Sequence, residues 1–284
     1  MDAFFIDAPF GQRFCVFHSP AADVPLRGGL VYIQPFAEEL NRCRRMAYLQ
    51  ASAFAQAGYA VLMMDLHGCG DSSGDFADAT WDTWLDDVAL ARQWLEERID
   101  GPVWLWGVRA GCLLAAQSAT RRTQATRVLF WQPVLSGHQH LKQFLRLKLT
   151  GEMLQNAKVT GGKSRPGTDG LLAQLESGRS LEVAGYVLSP ALAKGFGQAT
   201  LQPSLLLHGV CLEVSSQLDT AQHPSVSPAL RSLVAQSQDA IGHHITAQAV
   251  AGAAFWQMQE APICDALISA SLAAVQEMKA VKLP

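Results

Sequence analysis

Residues 103–111 read VWLWGVRAG, a segment from which the fold class can be inferred. Its first four residues form a short continuous apolar run, which is typical of a strand buried on both faces of a parallel sheet. The glycines that bracket the VRA triplet then predict a sharp turn. Residues 112–116, CLLAA, follow as the start of a helix. The segment therefore predicts a strand, a tight glycine turn and a helix, in that order.

Similar apolar runs flank this segment, at 30–33 (LVYI), 59–64 (YAVLMM) and 128–131 (VLFW). Apolar residues at helical spacing separate them, at 43–57 and after Thr80, a candidate N-cap. Strands that alternate with single helices require right-handed parallel crossovers. The sequence therefore predicts an α/β protein with a mostly parallel central sheet and helices on both faces.

The ends of the chain extend this pattern. Residues 13–18, RFCVFH, predict an antiparallel edge strand before the parallel part of the sheet. Strand signals return at 204–209 and again at 245–251, and a C-terminal helix is expected near 266–278. We therefore expect these strands and this helix to belong to the same core as the central strands.

Regular alternation breaks down after residue 135 into short amphipathic pieces and resumes near residue 200. We interpret 136–199 as a helical cap inserted into the core. The α/β core is then formed by residues 1–135 and 200–284, as one domain.

The composition excludes several classes of function. The chain of 284 residues is 49% hydrophobic and 17% charged, which suits a globular protein with a sizeable core, and its net charge is -3 with no Lys/Arg stripe that would neutralise a row of phosphates. The first seven residues carry two acids where a secretory signal carries cations, and no window holds 18 consecutive apolar residues. We expect a cytoplasmic protein that binds no nucleic acid and has no membrane span; a homo-oligomer is compatible with these observations.

The six cysteines are scattered singly, without a C-x-x-C pair or a Cys/His spacing of the zinc type. They predict free thiols in a reducing compartment. No metal and no cofactor is expected from the sequence.

With its elements in this order, the chain resembles the α/β-hydrolase superfamily, whose nucleophile elbow is written G-x-S-x-G. Residues 107–111, GVRAG, occupy the position of that elbow. Residues 65–72, DLHGCGDS, are similar to the D-x-x-G-x-G-x-S loop that follows the preceding strand in the superfamily. The resemblance covers nearly the whole chain.

More narrowly, the chain resembles the exosortase A system-associated hydrolases, type 2. The similar segments are 34–41 (QPFAEELN), 68–76 (GCGDSSGDF), the elbow, 130–134 (FWQPV) and 255–256 (FW). This resemblance implies a link to exopolysaccharide processes. The hydrolase label of that family comes from its fold, which does not by itself specify chemistry.

Two catalytic positions depart from the superfamily pattern. Arg109 replaces the nucleophilic serine, and a guanidinium carries five donors and no acceptor, so it cannot attack a carbonyl carbon. Alanines occupy the stretch 250–255 where the histidine base is expected; His243 and His244 precede the last strand and serve only if that strand is misplaced. Glu213 lies one position beyond where the acid is expected, so an exposed loop carboxylate is the simpler interpretation.

Arg109 admits two interpretations. At the N-terminus of a helix it would create an anion site, with the backbone N–H groups of Phe36 and Ala110 as further donors. Trp131 and Trp256, near strand ends, could form the walls of this pocket. Alternatively, Glu38 or Glu39 would pair with Arg109 as an internal ion pair. A buried cation requires some partner, and the sequence leaves open whose carboxylate it is.

These observations leave three functional hypotheses. The first is noncatalytic binding of a small anionic or acyl or sugar ligand, such as a carboxylated sugar or a lipid-linked intermediate. The alternative is an atypical ester or thioester hydrolase or acyltransferase that uses a non-serine nucleophile, such as Cys69, or an activated water; a buried neutral thiol is the competing interpretation of Cys69. A structural subunit with an occluded pocket is the third.

Overall fold

A computed structural model of the chain describes residues 1–122, 124–156, 167–202, 207–216, 223–238, 245–260 and 262–278. The strands of these residues are β1 (Asp2–Ala8), β2 (Gly11–His18), β3 (Gly28–Ile33), β4 (Tyr59–Met64), β5 (Val103–Val108), β6 (Thr126–Trp131), β7 (Leu181–Val183), β8 (Tyr186–Leu188), β9 (Leu207–Ser215) and β10 (Ile245–Ala251). The α-helices of the same residues are α1 (Glu39–Gln56), α2 (Trp81–Glu96), α3 (Gly111–Thr120), α4 (Gly137–Asn156), α5 (Thr168–Glu176), α6 (Pro190–Gln198), α7 (Pro228–Gln238) and α8 (Asp265–Met278).

The main sheet has eight strands in the order β1-β2-β4-β3-β5-β6-β9-β10. The pairs β1–β2 and β2–β4 are antiparallel, and the remaining neighbours are parallel. Every residue of β3 and β5 is buried, as expected for strands covered by helices on both faces. The predicted α/β fold class with a mostly parallel sheet is therefore confirmed, and the elbow turn follows β5 at the centre of the sheet.

Several local predictions match the structure closely. The last strand of the sheet, β10, spans the predicted residues 245–251, and α8 covers the predicted C-terminal helix. The hydroxyl of Thr80 accepts a hydrogen bond from the N–H of Thr83, which confirms Thr80 as the N-cap of α2. The strand expected from residue 204 corresponds to β9, described from Leu207; residues 203–206 lie outside the described ranges.

The prediction that residues 13–18 form the edge strand is wrong. These residues lie in β2, which is antiparallel as expected, but β1 pairs with its outer side and forms the edge. The β1 sequence DAFFIDA alternates between exposed and half-buried positions and contains no fully buried residue. It therefore lacks the apolar run that marked the other strands.

The segment between β6 and β9 holds the inserted helical cap, with α4, α5 and α6 and the small antiparallel pair β7–β8. An isolated bridge between Ser136 and Thr200 joins the two ends of the segment. The division into 1–135, 136–199 and 200–284 stays a prediction.

All six cysteines are buried free thiols. Within the described ranges, no helix is both long and apolar enough to cross a membrane. The described residues also contain no group of three or more His, Cys, Asp or Glu side chains arranged to hold a metal ion.

Candidate functional site

The elbow keeps the backbone geometry of a nucleophile turn although the serine is replaced. Arg109 has a φ of 55°, a left-handed conformation that is unusual for a non-glycine residue. Its N–H donates to the carbonyl of Trp131 at 2.9 Å, and its own carbonyl accepts from the N–H of Cys112 at 3.1 Å. These bonds hold a strained residue at the end of β5.

Both glycines of the elbow are required by close backbone packing. A Cβ added to Gly107 would lie 2.8 Å from the Cα of Cys112, and one added to Gly111 would lie 2.3 Å from the carbonyl oxygen of Ile33. Neither distance is compatible with a side chain. The sharp strand-to-helix turn therefore depends on these glycines and not on the residue at its apex.

The Arg109 guanidinium is paired with Glu39, the first residue of α1. The Nε and Nη2 atoms of Arg109 each lie 3.1 Å from Oε1 of Glu39, and Nη1 donates to the carbonyl of Gln132 at 3.2 Å. The ring of Trp256 lies 5.2 Å from the guanidinium carbon, within the range of a cation–π contact. Between the two open alternatives for the partner of Arg109, the structure shows the internal ion pair with Glu39.

Glu38 is not the partner. Its side chain makes no capping hydrogen bond at the start of α1, and burial raises the pKa of its carboxyl, an effect that Arg42 and Arg109 oppose. Burial also raises the pKa of Glu39, and the neighbouring Arg109 opposes that shift. We interpret Glu39 as the ionised partner, because the guanidinium binds both of its oxygens.

The cap contributes a histidine to this pair. His140 of α4 has its Nε2 atom 3.8 Å from Oε2 of Glu39. Burial, together with the charge of Arg109, lowers the pKa of His140 to about 3, so the imidazole is neutral near pH 7. The contact is therefore polar, and the neutral imidazole adds no positive charge to that of Arg109.

An aromatic cluster from the core and the cap covers the neighbouring volume. Phe36 stacks on Phe196 of α6 at 4.6 Å and meets Phe144 of α4 edge-on at 5.1 Å between ring centroids. His140 packs against Phe36 and Phe196. The side of the elbow that faces the cap is filled with rings, which exclude water from most of the ion pair.

Two backbone donors at the elbow stay unpaired. The N–H groups of Phe36 and Ala110 donate to no acceptor among the described residues. Ala110 precedes α3, and Phe36 follows β3, which are the positions expected to bind an anion together with Arg109. These two unpaired donors therefore lie close to Arg109 and Glu39 in the chain, and their binding of an anion stays a prediction.

The expectation that Trp131 forms a wall of this site is wrong. Its side chain is 1% exposed and its Nε1 atom donates to the hydroxyl of Ser271 in α8 at 2.8 Å. Trp131 thus belongs to the core layer between the sheet and α8. Trp256, the other tryptophan that could wall the pocket, lies next to Arg109.

Among the described residues, the candidate catalytic residues provide no activated nucleophile with an imidazole base. Cys69 is buried, and burial raises the pKa of its thiol to about 12, so it is protonated near neutral pH. His243 and His244 lie outside the described residues. Because β10 ends at Ala251 as predicted, the described residues that follow it, 252–260, contain no histidine.

Glu213 has a structural role that the sequence did not reveal. It lies within β9 and is buried, which corrects the expectation of an exposed loop carboxylate. Its two oxygens accept hydrogen bonds from the N–H and the hydroxyl of Ser227, at 2.6 and 2.8 Å. It therefore fixes the chain just before α7.

Gln132 and His140 were not predicted as neighbours of Arg109. Gln132 has a φ of 44° and its Oε1 atom accepts from the N–H of Val214 at 2.8 Å, so it locks the end of β6 against β9. Gln132 lies in the quoted FWQPV segment, which was a usable signal. His140 comes from the inserted cap, and no local sequence pattern indicated which cap residues would face the elbow.

An eight-stranded, mostly parallel sheet with a glycine elbow and an inserted cap defines an α/β-hydrolase fold. The family model described as serine aminopeptidase, S33, matches residues 36–211, more than half of the chain. The chain therefore belongs to this family, although Arg109 stands at its serine position.

Solved structures show the same fold at low sequence identity. Est1E from Butyrivibrio proteoclasticus, solved with bound ferulic acid, is similar with a TM-score of 0.63 and 15% identity, over 98% of this chain and 100% of that chain. An α/β serine hydrolase without a lid from Xanthomonas campestris gives a TM-score of 0.59 and 14% identity, over 99% and 96%. An α/β serine hydrolase homologue from Coxiella burnetii gives 0.55 and 14%, over 98% and 97%. A comparison with curated proteins gives no match.

Proposed function

We propose that this chain is a pseudoenzyme of the α/β-hydrolase superfamily, which acts by binding and not by turnover. The observation that carries the proposal is the ion pair of Arg109 and Glu39 at the apex of an otherwise intact elbow. A serine esterase needs a hydroxyl nucleophile and an imidazole base at coupled positions. Here the first is replaced by a paired cation, and the stretch that follows β10 offers no imidazole.

The ligand that suits this site is an anion, such as a carboxylated sugar or a phosphate. A ligand carboxylate would replace the carboxylate of Glu39 on Arg109 and would also accept from the unpaired N–H groups of Phe36 and Ala110. Glu39 thereby acts as a resident anion that competes with the ligand. Burial raises the pKa of Glu39, which eases its protonation once it is displaced.

The biological setting forms part of the proposal. The resemblance to exosortase A system-associated hydrolases, type 2, favours a role in exopolysaccharide processes, with a carboxylated sugar as the ligand. Six free cysteines, all buried, favour a reducing compartment, and we place the protein in the cytoplasm.

The experiment compares thermal stabilisation by glucuronate and by inorganic phosphate in the wild type, Glu39→Gln and Arg109→Ala/Glu39→Gln. Glu39→Gln removes the competing charge and keeps the shape, so it is expected to bind at least one of the two anions about tenfold more tightly than the wild type. The double variant is expected to show no anion-dependent shift. If Glu39→Gln shows no shift with either anion, or the double variant binds as well as Glu39→Gln, the anion site is wrong. Hydrolysis of p-nitrophenyl acetate by the wild type above the rate of an unfolded control would contradict the noncatalytic assignment.

A further inference from the structure

One edge of the main sheet is open along a whole strand. β1 (Asp2–Ala8) forms this edge, with β2 as its neighbour. Apart from the pairing with β2, the backbone of β1 makes no hydrogen bond with the rest of the described residues. Alternate residues of an antiparallel strand point their N–H and C=O groups away from the paired neighbour. The outer side of β1 is therefore a row of unpaired donors and acceptors, which can pair with a strand of another chain.

β1 lacks most of the devices that protect an edge strand. Natural edge strands avoid pairing with other chains through lysines, prolines and bulges. The seven residues of β1, DAFFIDA, include no proline, lysine or arginine, and their register with β2 is continuous from Asp2 to Ala8, so no bulge interrupts it. The two acids of the strand stand on either side of the apolar stretch AFFI. The centre of the open edge is therefore apolar.

Phe5, at the middle of β1, has a side chain that a neighbouring strand would cover in part. It is 53% exposed and lies beside Phe14 of β2, with ring centroids 5.5 Å apart. On the opposite face of the strand, Phe4 is half-buried and stacks on Trp94 of α2 at 5.0 Å. Aromatic side chains are enriched in protein interfaces. The exposed ring at the centre of the edge thus fits a contact with another strand.

The sequence of β1 is complementary to a second copy of itself. In a two-fold symmetric dimer the two β1 strands run antiparallel, and the register that pairs all seven residues sets Phe5 opposite Phe5 of the second copy. Directly opposite residues point to the same face, so the half-buried positions of both copies share one face and Phe5 lies on the other. The remaining pairs join apolar side chains or set an acid opposite an alanine: Phe4 with Ile6, Asp2 with Ala8 and Ala3 with Asp7.

Other symmetric registers fit less well. A shift by two residues is the smallest one that keeps both faces. It centres the pair on Phe4 or on Ile6 and leaves two residues of each strand without a partner in the other strand. Centring on Ile6 also sets Phe5 against Asp7. We propose that the chain forms a homodimer in which β1 pairs antiparallel with β1 of a second copy, centred on Phe5, so that the two sheets become one.

Sedimentation velocity over a concentration series measures the dimer. The contact is one strand wide, so we expect a dissociation constant on the order of 10 μM for the wild type. Phe5→Lys and Phe5→Glu each set two like charges opposite each other and are expected to weaken the dimer at least about tenfold. An equimolar mixture of the two variants is expected to regain the dimer, because the introduced charges then have opposite signs. The control Val187→Lys changes a 41% exposed strand residue of the cap and should dimerise as the wild type does.

A cysteine introduced at position 5 tests the register. All six native cysteines are buried, so Phe5→Cys adds an exposed thiol. Directly opposite residues bring their Cβ atoms about 5 Å apart, close to the separation in a disulfide. Mild oxidation is therefore expected to link two copies of this variant. Ala3→Cys is the matched control, because its two copies lie about 13 Å apart along the strands in this register. It should cross-link at less than about a tenth of the rate.

Four results would each overturn the proposal. They are a wild type that stays monomeric up to about 1 mM, a Phe5→Lys variant that dimerises as tightly as the wild type, a mixture of the charged variants that regains no dimer, and equal cross-linking of Ala3→Cys and Phe5→Cys. A monomeric wild type would leave the edge of β1 to an extended segment of another protein. The edge shares no residue with the Arg109 site, so failure here leaves the proposed function untouched.

Discussion

Arg109 and Glu39 face each other across the junction of the elbow and α1, with Nη2 and Oε1 3.1 Å apart and side chains that are only 13% and 8% exposed. A buried pair of this kind contributes little compared with apolar residues of the same size, but either charge alone is strongly unfavourable. Removing both charges should therefore cost less stability than removing only one of them. This property gives the first prediction.

Glu39→Met leaves the Arg109 cation without its carboxylate partner and is expected to lower the free energy of unfolding by about 3 kcal/mol or more. The double variant Arg109→Met/Glu39→Met should recover most of that loss, because no buried charge remains. Urea denaturation measures both. Asp82→Ala is the control, since it breaks the exposed pair of Asp82 with Arg121 and is expected to change stability by less than about 1 kcal/mol. Equal effects of Glu39→Met and Asp82→Ala would show that the buried pair has no special role.

Restoring the serine is not expected to restore catalysis. Arg109→Ser recreates G-x-S-x-G on an elbow with the correct backbone, but the residues after β10 provide no imidazole to remove the hydroxyl proton. Its rate on p-nitrophenyl acetate should stay within about threefold of the rate of Arg109→Ala, the matched variant without a hydroxyl. A serine variant that hydrolyses the ester a hundredfold faster than the alanine variant would show that another residue acts as the base.

The protein is expected to become less stable as the pH is lowered through the range in which His140 titrates. In the unfolded chain its imidazole gains a proton near pH 6.5, whereas in the folded protein burial lowers the pKa to about 3. Between these values the unfolded state binds more protons, so the stabilisation is complete above pH 6.5 and is lost as the pH falls toward 3. This group accounts for up to about 1.4 kcal/mol per pH unit. His140→Phe, which retains a ring in the aromatic cluster, should show a shallower decline between pH 6.5 and 5 in guanidinium unfolding. An unchanged slope would mean that His140 titrates normally in the folded state.

The elbow glycines provide a test of the backbone. Gly111→Ala places a Cβ against the carbonyl of Ile33 and is expected to lower stability by about 2 to 3 kcal/mol. Gly151→Ala in α4 meets no atom within 4 Å and should instead raise stability by up to about 1 kcal/mol, because alanine favours a helix. Thermal unfolding of the two variants gives the comparison. A Gly111→Ala variant as stable as the wild type would contradict the close approach of α3 to β3.

The continuous apolar runs made the parallel core predictable from the sequence. Runs such as 59–64 are buried on both faces and need no partner to be recognised, and β4 has those bounds in the structure. By contrast, β1 is defined by its pairing with β2, and its half-exposed sequence carries no equivalent signal. An edge strand forms because it pairs with its neighbouring strand, so the pattern of its own sequence identifies it less well.

The sequence predicted the residues of the ion pair but not all of the residues that surround it. The glycine spacing placed Arg109 at the elbow, and the loop after β3 placed Glu38 and Glu39 within its reach. The direction of a side chain at the end of a strand depends on the pleat, which turned Trp131 toward α8 and away from the elbow. The position of His140 depends on how the inserted cap packs on the core, and sequence spacing does not encode that packing.

The six buried thiols can report on local opening of the fold. Cys43 lies in α1 on one side of the sheet, Cys112 lies in α3 at the elbow, and Cys211 lies in β9 within the sheet. A thiol-specific reagent reaches a buried cysteine only when the surrounding structure opens. Mass spectrometry can identify the order in which these three cysteines react. That order would rank the parts of the fold by how readily each one opens, without any added label.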